Sequence, residues 1–286
     1  MRCERIGGLE CLPLSASLHT LSKPLVAFDA KAQAWEHYTN TPLGRLRQEL
    51  TLRHLVQHLD AFSGCLEVLD AGGGTGAYAF FMARLGHNVY LLDFSAQMLD
   101  VARTKIESFA PCLVERIKLC HATVEDIPHL FDPQCFDLIM CHTLLEYVSA
   151  PWETLLTLVT ALRPGGLLSL LCTNPRADPL CWALAKGDLE KARLSLAPHA
   201  SPADLFGLPR RTFTAEEITD AVARAGMEAM AGYGIRIFAD YVPLDTLSNP
   251  ESYTQLLALE LEAGSVLPYR LIARYNQILA RKPGIA

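Results

Sequence analysis

Short apolar segments alternate with amphipathic segments along most of this chain. Patterns typical of buried strands cover residues 66–70, 88–93, 117–120, 136–141 and 167–172. Helical spacing of apolar residues separates them, most clearly at 77–85, 95–109 and 152–162. Strands that alternate with helices require crossover connections, and these produce a parallel sheet with helices on both faces. The sequence therefore predicts an α/β fold around a central parallel sheet.

Other parts of the chain fall outside this alternation. Residues 1–27 show no period and are predicted to form a mobile N-terminal extension, which leaves 28–286 as one domain. Residues 174–212 contain five prolines and mixed helical pieces, which is typical of an insertion or lid over a sheet. The remaining predicted elements are helices at 30–38, 45–59, 213–225 and 253–262 and strands at 227–238 and 272–280.

Composition narrows the class of protein. Half of the 286 residues are hydrophobic and 20% are charged, so the chain can bury a large core and is not of the disordered class. Nine cysteines without C-x-x-C spacing argue against a disulfide framework or a zinc site and favour a reducing, cytoplasmic location. No apolar run reaches the ~18 residues that a membrane span needs, and the net charge of −6 argues against broad, non-specific nucleic-acid binding. We expect neither a metal nor a membrane partner.

A glycine-rich turn joins the first predicted strand to the helix that follows. Asp70 ends the strand, and glycines at 72–74 and 76 let the backbone turn sharply and let a ligand approach closely. The same residues also satisfy the dinucleotide pattern G-x-G-x-x-A, so the glycines alone leave an NAD-dependent oxidoreductase open. The carboxylate of Asp70 is a poor neighbour for a pyrophosphate, and it suits a positively charged ligand such as S-adenosylmethionine.

Polar residues also follow the next three strands. Asp93 ends the second strand, where an acidic side chain can reach the hydroxyls of an adenosine ribose. Val124, Glu125 and Asp126 follow the third strand, where they can flank an adenine ring, and His142 ends the fourth. The carboxyl ends of parallel strands meet at one edge of a sheet, so these residues predict a nucleoside site. Taken singly, each has a plainer interpretation as a helix start, a solvated turn or a core histidine.

Three of these features resemble the class I S-adenosylmethionine-dependent methyltransferases. They are L-D-A-G-G-G-T-G at 69–76, Asp93 and L-R-P-G-G at 162–166, and the match extends over about 28–283. The resemblance implies a Rossmann-like fold with a mostly parallel seven-stranded sheet, helices on both faces and the insertion placed after strand 5. It also implies S-adenosylmethionine as the methyl donor.

A closer resemblance is to the bacterial tRNA 5-carboxymethoxyuridine methyltransferases, which esterify the carboxylate of a modified wobble uridine. The segments that carry it are G-R-L-R-Q at 44–48, G-H-N-V-Y-L-L-D-F-S-A-Q-M-L at 86–99, H-T-L-L-E-Y at 142–147, G-I-R-I-F-A-D-Y at 234–241 and P-Y-R-L-I-A-R-Y at 268–275 with A-R-K-P at 280–283. This resemblance implies a tRNA anticodon loop as substrate.

The resemblance also implies a set of residues at the methyl donor. They are Arg47, Gly72, Gly73, Asp93, Val124, Glu125 and His142. It implies that Arg47 pairs with the methionine carboxylate, and a guanidinium can hold a carboxylate with two charge-assisted bonds. The alternative for Arg47 is a solvated position in the first turn of a helix.

On the acceptor side, a carboxylate with a pKa near ~4 is already ionised at neutral pH and needs no general base. It needs a cation to orient it, for which Arg236 is the candidate, with Phe238 and Tyr241 as a stacking face for the base. We take Arg236 and Tyr241 as the candidate catalytic residues. The alternative is that Arg236 is exposed on a strand and that both aromatic residues belong to the core. If a base is required, His142 is the first candidate.

Contacts to RNA phosphates are harder to place. The relatives carry a lysine-rich run after the fifth strand, whereas residues 195–208 of this chain contain neither Lys nor Arg. Contacts to the phosphates are expected instead at Arg45, Arg53, Lys186, Lys191 and Arg193. Two further functions stay open, namely a small-molecule O-methyltransferase with a proline-rich lid and a non-catalytic partner subunit that keeps the fold.

Overall fold

The computed structural model describes residues 23–197, 208 and 210–284. Its strands are β1 (Glu67–Ala71), β2 (Asn88–Asp93), β3 (Ile117–His121), β4 (Phe136–His142), β5 (Leu162–Thr173), β6 (Glu228–Ile235) and β7 (Tyr275–Arg281). Its α-helices are α1 (Lys23–Thr39), α2 (Pro42–Val56), α3 (Ala77–Arg84), α4 (Ala96–Phe109), α5 (Ile127–Leu130), α6 (Pro151–Ala161), α7 (Asp178–Leu180), α8 (Leu189–Leu194), α9 (Ala215–Arg224), α10 (Leu244–Ser248) and α11 (Pro250–Ser265).

The seven strands form one sheet in the order β3-β2-β1-β4-β5-β7-β6. Strands β1 to β5 pair in parallel, whereas β7 runs antiparallel to both β5 and β6. The mostly parallel seven-stranded sheet expected from the resemblance is therefore confirmed. The strand order reverses between β1 and β4, and ligands of open α/β sheets bind at such a crevice.

The antiparallel direction of β7 has a consequence for the site. Its first residue, Tyr275, pairs with Thr173 at the end of β5 and with Ile235 at the end of β6. Tyr275 therefore lies at the same edge of the sheet as the last residues of the parallel strands. A strand that begins at the ligand edge adds a side chain that strand–helix alternation does not predict.

Consecutive residues of the central strands pack into different halves of the core, one on each face of the sheet. Val68 and Leu69 are neighbours on β1 and both are fully buried, yet they belong to separate hydrophobic clusters. Side chains alternate between the two faces of a strand, so each face must be covered by its own layer of helices. Leu158 of α6 and Ile218 of α9 pack on the side of Leu69, and Met82 of α3 packs on the side of Val68.

Several boundaries differ from the sequence prediction. Helix α1 begins at Lys23, within the segment predicted to be an extension, and residues 1–22 lie outside the described part of the chain. The predicted turn at 164–166 lies inside β5, where Gly165 has φ +78° and the pairing with β4 shifts register. Strand β6 stops at Ile235 because the next residue, Arg236, has φ +63°, which ends extended geometry.

Residues after β5 form short helical pieces, among them α7, a π-helical turn at Cys181–Ala185 and α8. The amide nitrogen of the Asn174 side chain donates to the carbonyls of Leu271 and Ala273, at 2.9 and 2.8 Å. These bonds tie the start of this segment to the turn before β7. Its role as a lid stays a prediction, since residues 198–207 and 209 fall outside the description. Of the helices that are described, none has the length and apolar character to cross a membrane.

Candidate active site

A cavity of about 760 Å³ opens at the carboxyl edge of the sheet. Its floor is the glycine turn after β1 and the ends of β2, β4 and β5, and its far wall is Tyr275 of β7 with Arg236 and Arg274. Helices α1 and α2 cover it with aromatic and charged side chains, among them Trp35, Tyr38 and Arg47. Of the site residues predicted from the sequence, Arg47, Gly72, Gly73, Asp93, His142 and Arg236 line this one cavity.

The glycine turn needs its glycines for two separate reasons. Gly72 has φ +67°, a left-handed conformation that residues with a side chain rarely adopt. Gly73 has an ordinary φ, but a Cβ at this position would lie 2.2 Å from Leu91 and 2.6 Å from the carboxyl group of Asp70. The turn therefore brings bare backbone to the cavity floor.

Asp93 is held in place by the backbone around it. One carboxylate oxygen accepts from the amide of Gly74 at 2.8 Å and the other from the amide of Ser95 at 2.9 Å. Burial raises the pKa of Asp93 to about 6. The side chain is 5% exposed and faces the cavity, which is the placement predicted for a ribose-binding acid.

Asp70 is more deeply buried and carries an unused acceptor. Its Oδ2 is buried and has no hydrogen-bond partner among the described residues. Burial raises the pKa of Asp70 to about 7, with the neighbouring negative charge of Asp93 adding to the rise. Two acids with raised pKa values at one end of a cavity favour a ligand that brings positive charge.

Arg47 is buried in an aromatic cage. It is 3% exposed, and its guanidinium lies 5.1 Å from the ring of Trp35 and 5.5 Å from the rings of Tyr38 and Tyr275. Its Nε is buried without a hydrogen-bond partner in the described part of the chain. The alternative of a solvated helix residue is therefore wrong, and the side chain lines the cavity with a buried donor that no described residue satisfies.

Arg236 approaches the same tyrosine. Its guanidinium lies 5.7 Å from the ring of Tyr275, its Nη1 donates to the hydroxyl of Tyr38 at 3.0 Å, and its Nη2 pairs with Asp240. It is 5% exposed, so the alternative of an exposed strand residue is wrong. Within the described residues its Nε is buried and unpartnered, as in Arg47.

The structure does not bring Tyr241 and Phe238 to the cavity beside Arg236. The amide of Tyr241 donates to the carbonyl of Phe238 at 2.8 Å, which closes a turn. This turn presents Asp240 to the cavity, whereas the ring of Phe238 lies 6.4 Å from that of Tyr269. Neither Tyr241 nor Phe238 lines the cavity, because the left-handed residue at the end of β6 redirects the chain.

His142 lies at the end of β4 as predicted. Its Nε2 is 2.9 Å from the hydroxyl of Ser169, and the ring of Tyr78 meets it edge-on at 4.4 Å. Burial lowers the pKa of His142 to about 3, so the imidazole is neutral at pH 7. A group with that pKa is too weak a base to remove a proton near neutrality, which argues against His142 as a general base.

Val124 and Glu125 fall outside the lining of the cavity. They belong to one 3₁₀ turn, Val124–Asp126, in which the carboxylate of Asp126 accepts from the amide and hydroxyl of Thr123. This turn directs Val124 into the core and leaves Glu125 exposed.

The cations predicted to contact RNA phosphates differ in their ion pairs and in whether they line the cavity. Arg53 pairs with Glu49 at 2.8 Å, and Lys191 pairs with Asp188 at 3.0 Å. Lys186 is exposed and lines the cavity, as does Arg210. The described residues contain no cluster of three or more His, Cys, Asp or Glu that could hold a metal ion.

Sequence reasoning missed several residues of this cavity. Tyr275 begins an antiparallel strand, and Tyr38 and Trp35 belong to a helix before the sheet. Strand–helix alternation therefore predicts the position of none of the three. Asp240 was also missed, because its position depends on the turn after Arg236. The available signal was the segment G-I-R-I-F-A-D-Y, in which the charges of residues 236 and 240 are four positions apart.

Comparison with known proteins gives a consistent result. Residues 69–170 match a family model described as "Methyltransferase domain". The tRNA 5-carboxymethoxyuridine methyltransferase of Escherichia coli K12 is 34% identical over 245 residues, which is 85% of this chain and 90% of that protein. The mitochondrial ubiquinone biosynthesis O-methyltransferase of Schizosaccharomyces pombe is 36% identical over 111 residues, or 39% of each chain.

A solved structure gives the same fold at lower identity. The Burkholderia thailandensis 1,6-didemethyltoxoflavin-N1-methyltransferase, solved with S-adenosylhomocysteine, superposes with a TM-score of 0.55 at 16% identity, covering 96% of this chain and 93% of that one. The long match to the Escherichia coli enzyme, the methyltransferase domain and the seven-stranded sheet agree with one another. The chain is an S-adenosylmethionine-dependent methyltransferase of class I and belongs to the tRNA 5-carboxymethoxyuridine methyltransferase family.

Proposed function

We propose that this protein methylates the carboxylate of 5-carboxymethoxyuridine at the wobble position of the tRNA anticodon loop. The observation that carries the proposal is the pair of buried arginines, Arg47 and Arg236, on the single ring of Tyr275. Burying two like charges side by side is costly unless anions compensate them, and Asp240 supplies one such anion, to Arg236. A reaction between S-adenosylmethionine and a carboxylate acceptor brings two carboxylates into the cavity, one for each arginine.

The donor half of the cavity fits S-adenosylmethionine. Asp93 would accept from the ribose hydroxyls, and the guanidinium of Arg47 would bind the methionine carboxylate. The unpartnered oxygen of Asp70 lies at the same end and favours a cationic ligand. His142 lines the same half, and Val124 and Glu125 remain proposed contacts to the adenine ring. When bound, the donor supplies an electrophilic methyl group and a neutral leaving group.

The acceptor half has to position an anion rather than remove a proton. A carboxylate with a pKa near ~4 is ionised at pH 7, so no base is needed. Arg236 would orient it with its guanidinium, which Tyr38 and Asp240 hold in place. Catalysis then consists of alignment and the exclusion of water.

The location proposed for this reaction is the cytoplasm. No disulfide joins the seven cysteines among the described residues, and four of them are buried. Reduced cysteines agree with a reducing compartment, which is where tRNA would be met.

The experiment compares two tRNA substrates with S-adenosylmethionine labelled in its methyl group. One tRNA carries 5-carboxymethoxyuridine at the wobble position and the other carries 5-hydroxyuridine there. The second therefore lacks the carboxymethyl group that bears the carboxylate. We expect label only on the first, and we expect mild alkali to release it as methanol, because methyl esters are hydrolysed by base. Label on the second tRNA, or label that resists alkali, would overturn the proposal.

A second function is favoured by one specific observation. Tyr38 lines the cavity, and although burial works to raise the pKa of its hydroxyl, the positive charges of Arg236 and Arg47 lower it to about 8. Such a phenol could act as the base for a hydroxyl acceptor, as a small-molecule O-methyltransferase requires. Methylation of a small phenol such as catechol in place of tRNA would support this function over the first.

A further inference from the structure

We infer that Glu260 is a positioning residue for the acceptor side of the reaction, because its buried carboxylate holds the turn that presents Arg236 and Asp240 to the cavity. This inference rests on the proposed function, in which Arg236 orients the acceptor carboxylate. Glu260 itself does not line the cavity and touches no reacting group.

The carboxylate of Glu260 accepts three backbone hydrogen bonds. Glu260 lies in α11 and is fully buried. One of its oxygens accepts from the amide of Ile237 at 2.7 Å, and the other accepts from the amides of Phe238 and Ala239 at 2.9 and 2.8 Å. Three consecutive backbone donors therefore converge on one carboxylate, as they do in sites that bind anions.

The turn that these amides belong to needs such support. It begins at Arg236, whose φ of +63° is rare for a residue with a side chain. A strained backbone persists only where its surroundings hold it in place, and the three bonds to Glu260 begin at the very next residue. At the end of the turn, Asp240 reaches back to pair with Arg236. The carboxylate of Glu260 thus sets the direction in which the guanidinium enters the cavity.

The residues proposed for the donor side are carried by other elements. Arg47 is carried by α2, Asp93 ends β2, and Gly72 lies in the turn after β1. Glu260 forms its side-chain bonds to residues 237–239, which follow β6. A change at Glu260 should therefore alter acceptor binding and leave donor binding intact, a split that a general loss of folding would not produce.

The test uses Glu260→Gln, which keeps the shape of the side chain. Its amide offers one acceptor oxygen, and its NH₂ group faces at least one of the three backbone donors, so the turn loses part of its support. We expect KM for the tRNA to rise roughly tenfold or more, with the dissociation constant of S-adenosylmethionine unchanged within about twofold by calorimetry. The matched control is Glu217→Gln, because Glu217 also accepts from a backbone amide, that of Thr214, in a capping box at the start of α9 away from the cavity. This control should leave KM for the tRNA unchanged.

A double-mutant cycle with Arg236→Ala separates positioning from simple destabilisation. If Glu260 acts through Arg236, adding Glu260→Gln to Arg236→Ala produces little further change in KM. Two results would overturn the inference. One is a double variant in which the increases in KM of the two single variants multiply, and the other is an unchanged KM in Glu260→Gln alone. If Glu260→Gln does not bind the donor, Glu260→Asp, which keeps the charge and shortens the side chain, is carried through the same cycle. The proposed function is tested separately by the wild-type enzyme, whose failure to methylate this tRNA would count against that proposal alone.

Discussion

Arg236 donates a hydrogen bond from its Nη1 to the hydroxyl of Tyr38 across 3.0 Å, so the charge of the acceptor site depends on the protonation of a phenol. Burial works to raise the pKa of Tyr38, but the positive charges of Arg236 and Arg47 lower it to about 8. Below that pH the phenol is neutral and does not weaken the attraction of Arg236 for an anion. Above it a phenolate offsets that attraction.

This hydrogen bond predicts how the rate of the reaction changes at alkaline pH. At saturating S-adenosylmethionine, we expect kcat/KM for the carboxylate acceptor to be constant between about pH 6 and 7.5 and to fall as the pH rises through about 8. Tyr38→Phe cannot ionise, so its kcat/KM should stay constant to higher pH. A wild-type rate that instead rises through pH 8, with the rise absent from Tyr38→Phe, would identify Tyr38 as the base for a hydroxyl acceptor.

Asp93 gives a prediction for the donor side. Loss of hydrogen bonds between a carboxylate and the ribose hydroxyls should cost about 1.5–3 kcal/mol, so Asp93→Ala should bind S-adenosylmethionine ~10–150-fold more weakly. Asp100→Ala is the matched control, because Asp100 is exposed and lies in α4, the helix that follows β2 in the chain. Equal affinities for the Asp93 variant and the wild-type protein in calorimetry would show that Asp93 does not hold the donor.

The raised pKa values of the two buried acids predict how donor binding depends on pH. Burial raises the pKa of Asp70 to about 7 and of Asp93 to about 6, so the free protein retains protons on these groups in mildly acidic solution. A cationic donor favours the ionised forms, and its binding releases those protons. Affinity should therefore increase as the pH rises from about 5 to about 7.5 and then level off. Calorimetry in buffers of different ionisation enthalpy measures the released protons, and a pH-independent affinity would contradict this account.

The parts of the site that could be predicted are those that follow from the parallel βα repeat. Asp93 and His142 end β2 and β4, so once the strands are recognised their place at the ligand edge follows. The glycine turn could also be predicted from its sequence, but the reason that Gly73 tolerates no Cβ, its contact with Leu91 and Asp70, could not. Arg47 was reached through family resemblance, since nothing in the periodicity of α2 distinguishes a buried arginine from a solvated one.

The parts that could not be predicted depend on contacts between distant segments. Tyr275 enters the site because β7 runs antiparallel, and Glu260 supports the turn at 237–239 from a helix more than twenty residues later. That Tyr241 does not line the cavity has the same kind of cause. The left-handed conformation of Arg236 changes the direction of the chain, and Asp240 rather than Tyr241 then faces the cavity.

One buried arginine for each of two carboxylates is the arrangement on which the proposed reaction depends. Donor affinity by calorimetry and KM for the tRNA, measured on Arg47→Ala and Arg236→Ala side by side, test it most directly. We predict that Arg47→Ala weakens donor binding on the order of tenfold or more, whereas Arg236→Ala leaves donor affinity within about twofold and raises KM for the tRNA roughly tenfold. If Arg236→Ala weakens donor binding as much as Arg47→Ala and leaves KM for the tRNA unchanged, both arginines serve the donor and the arrangement is contradicted.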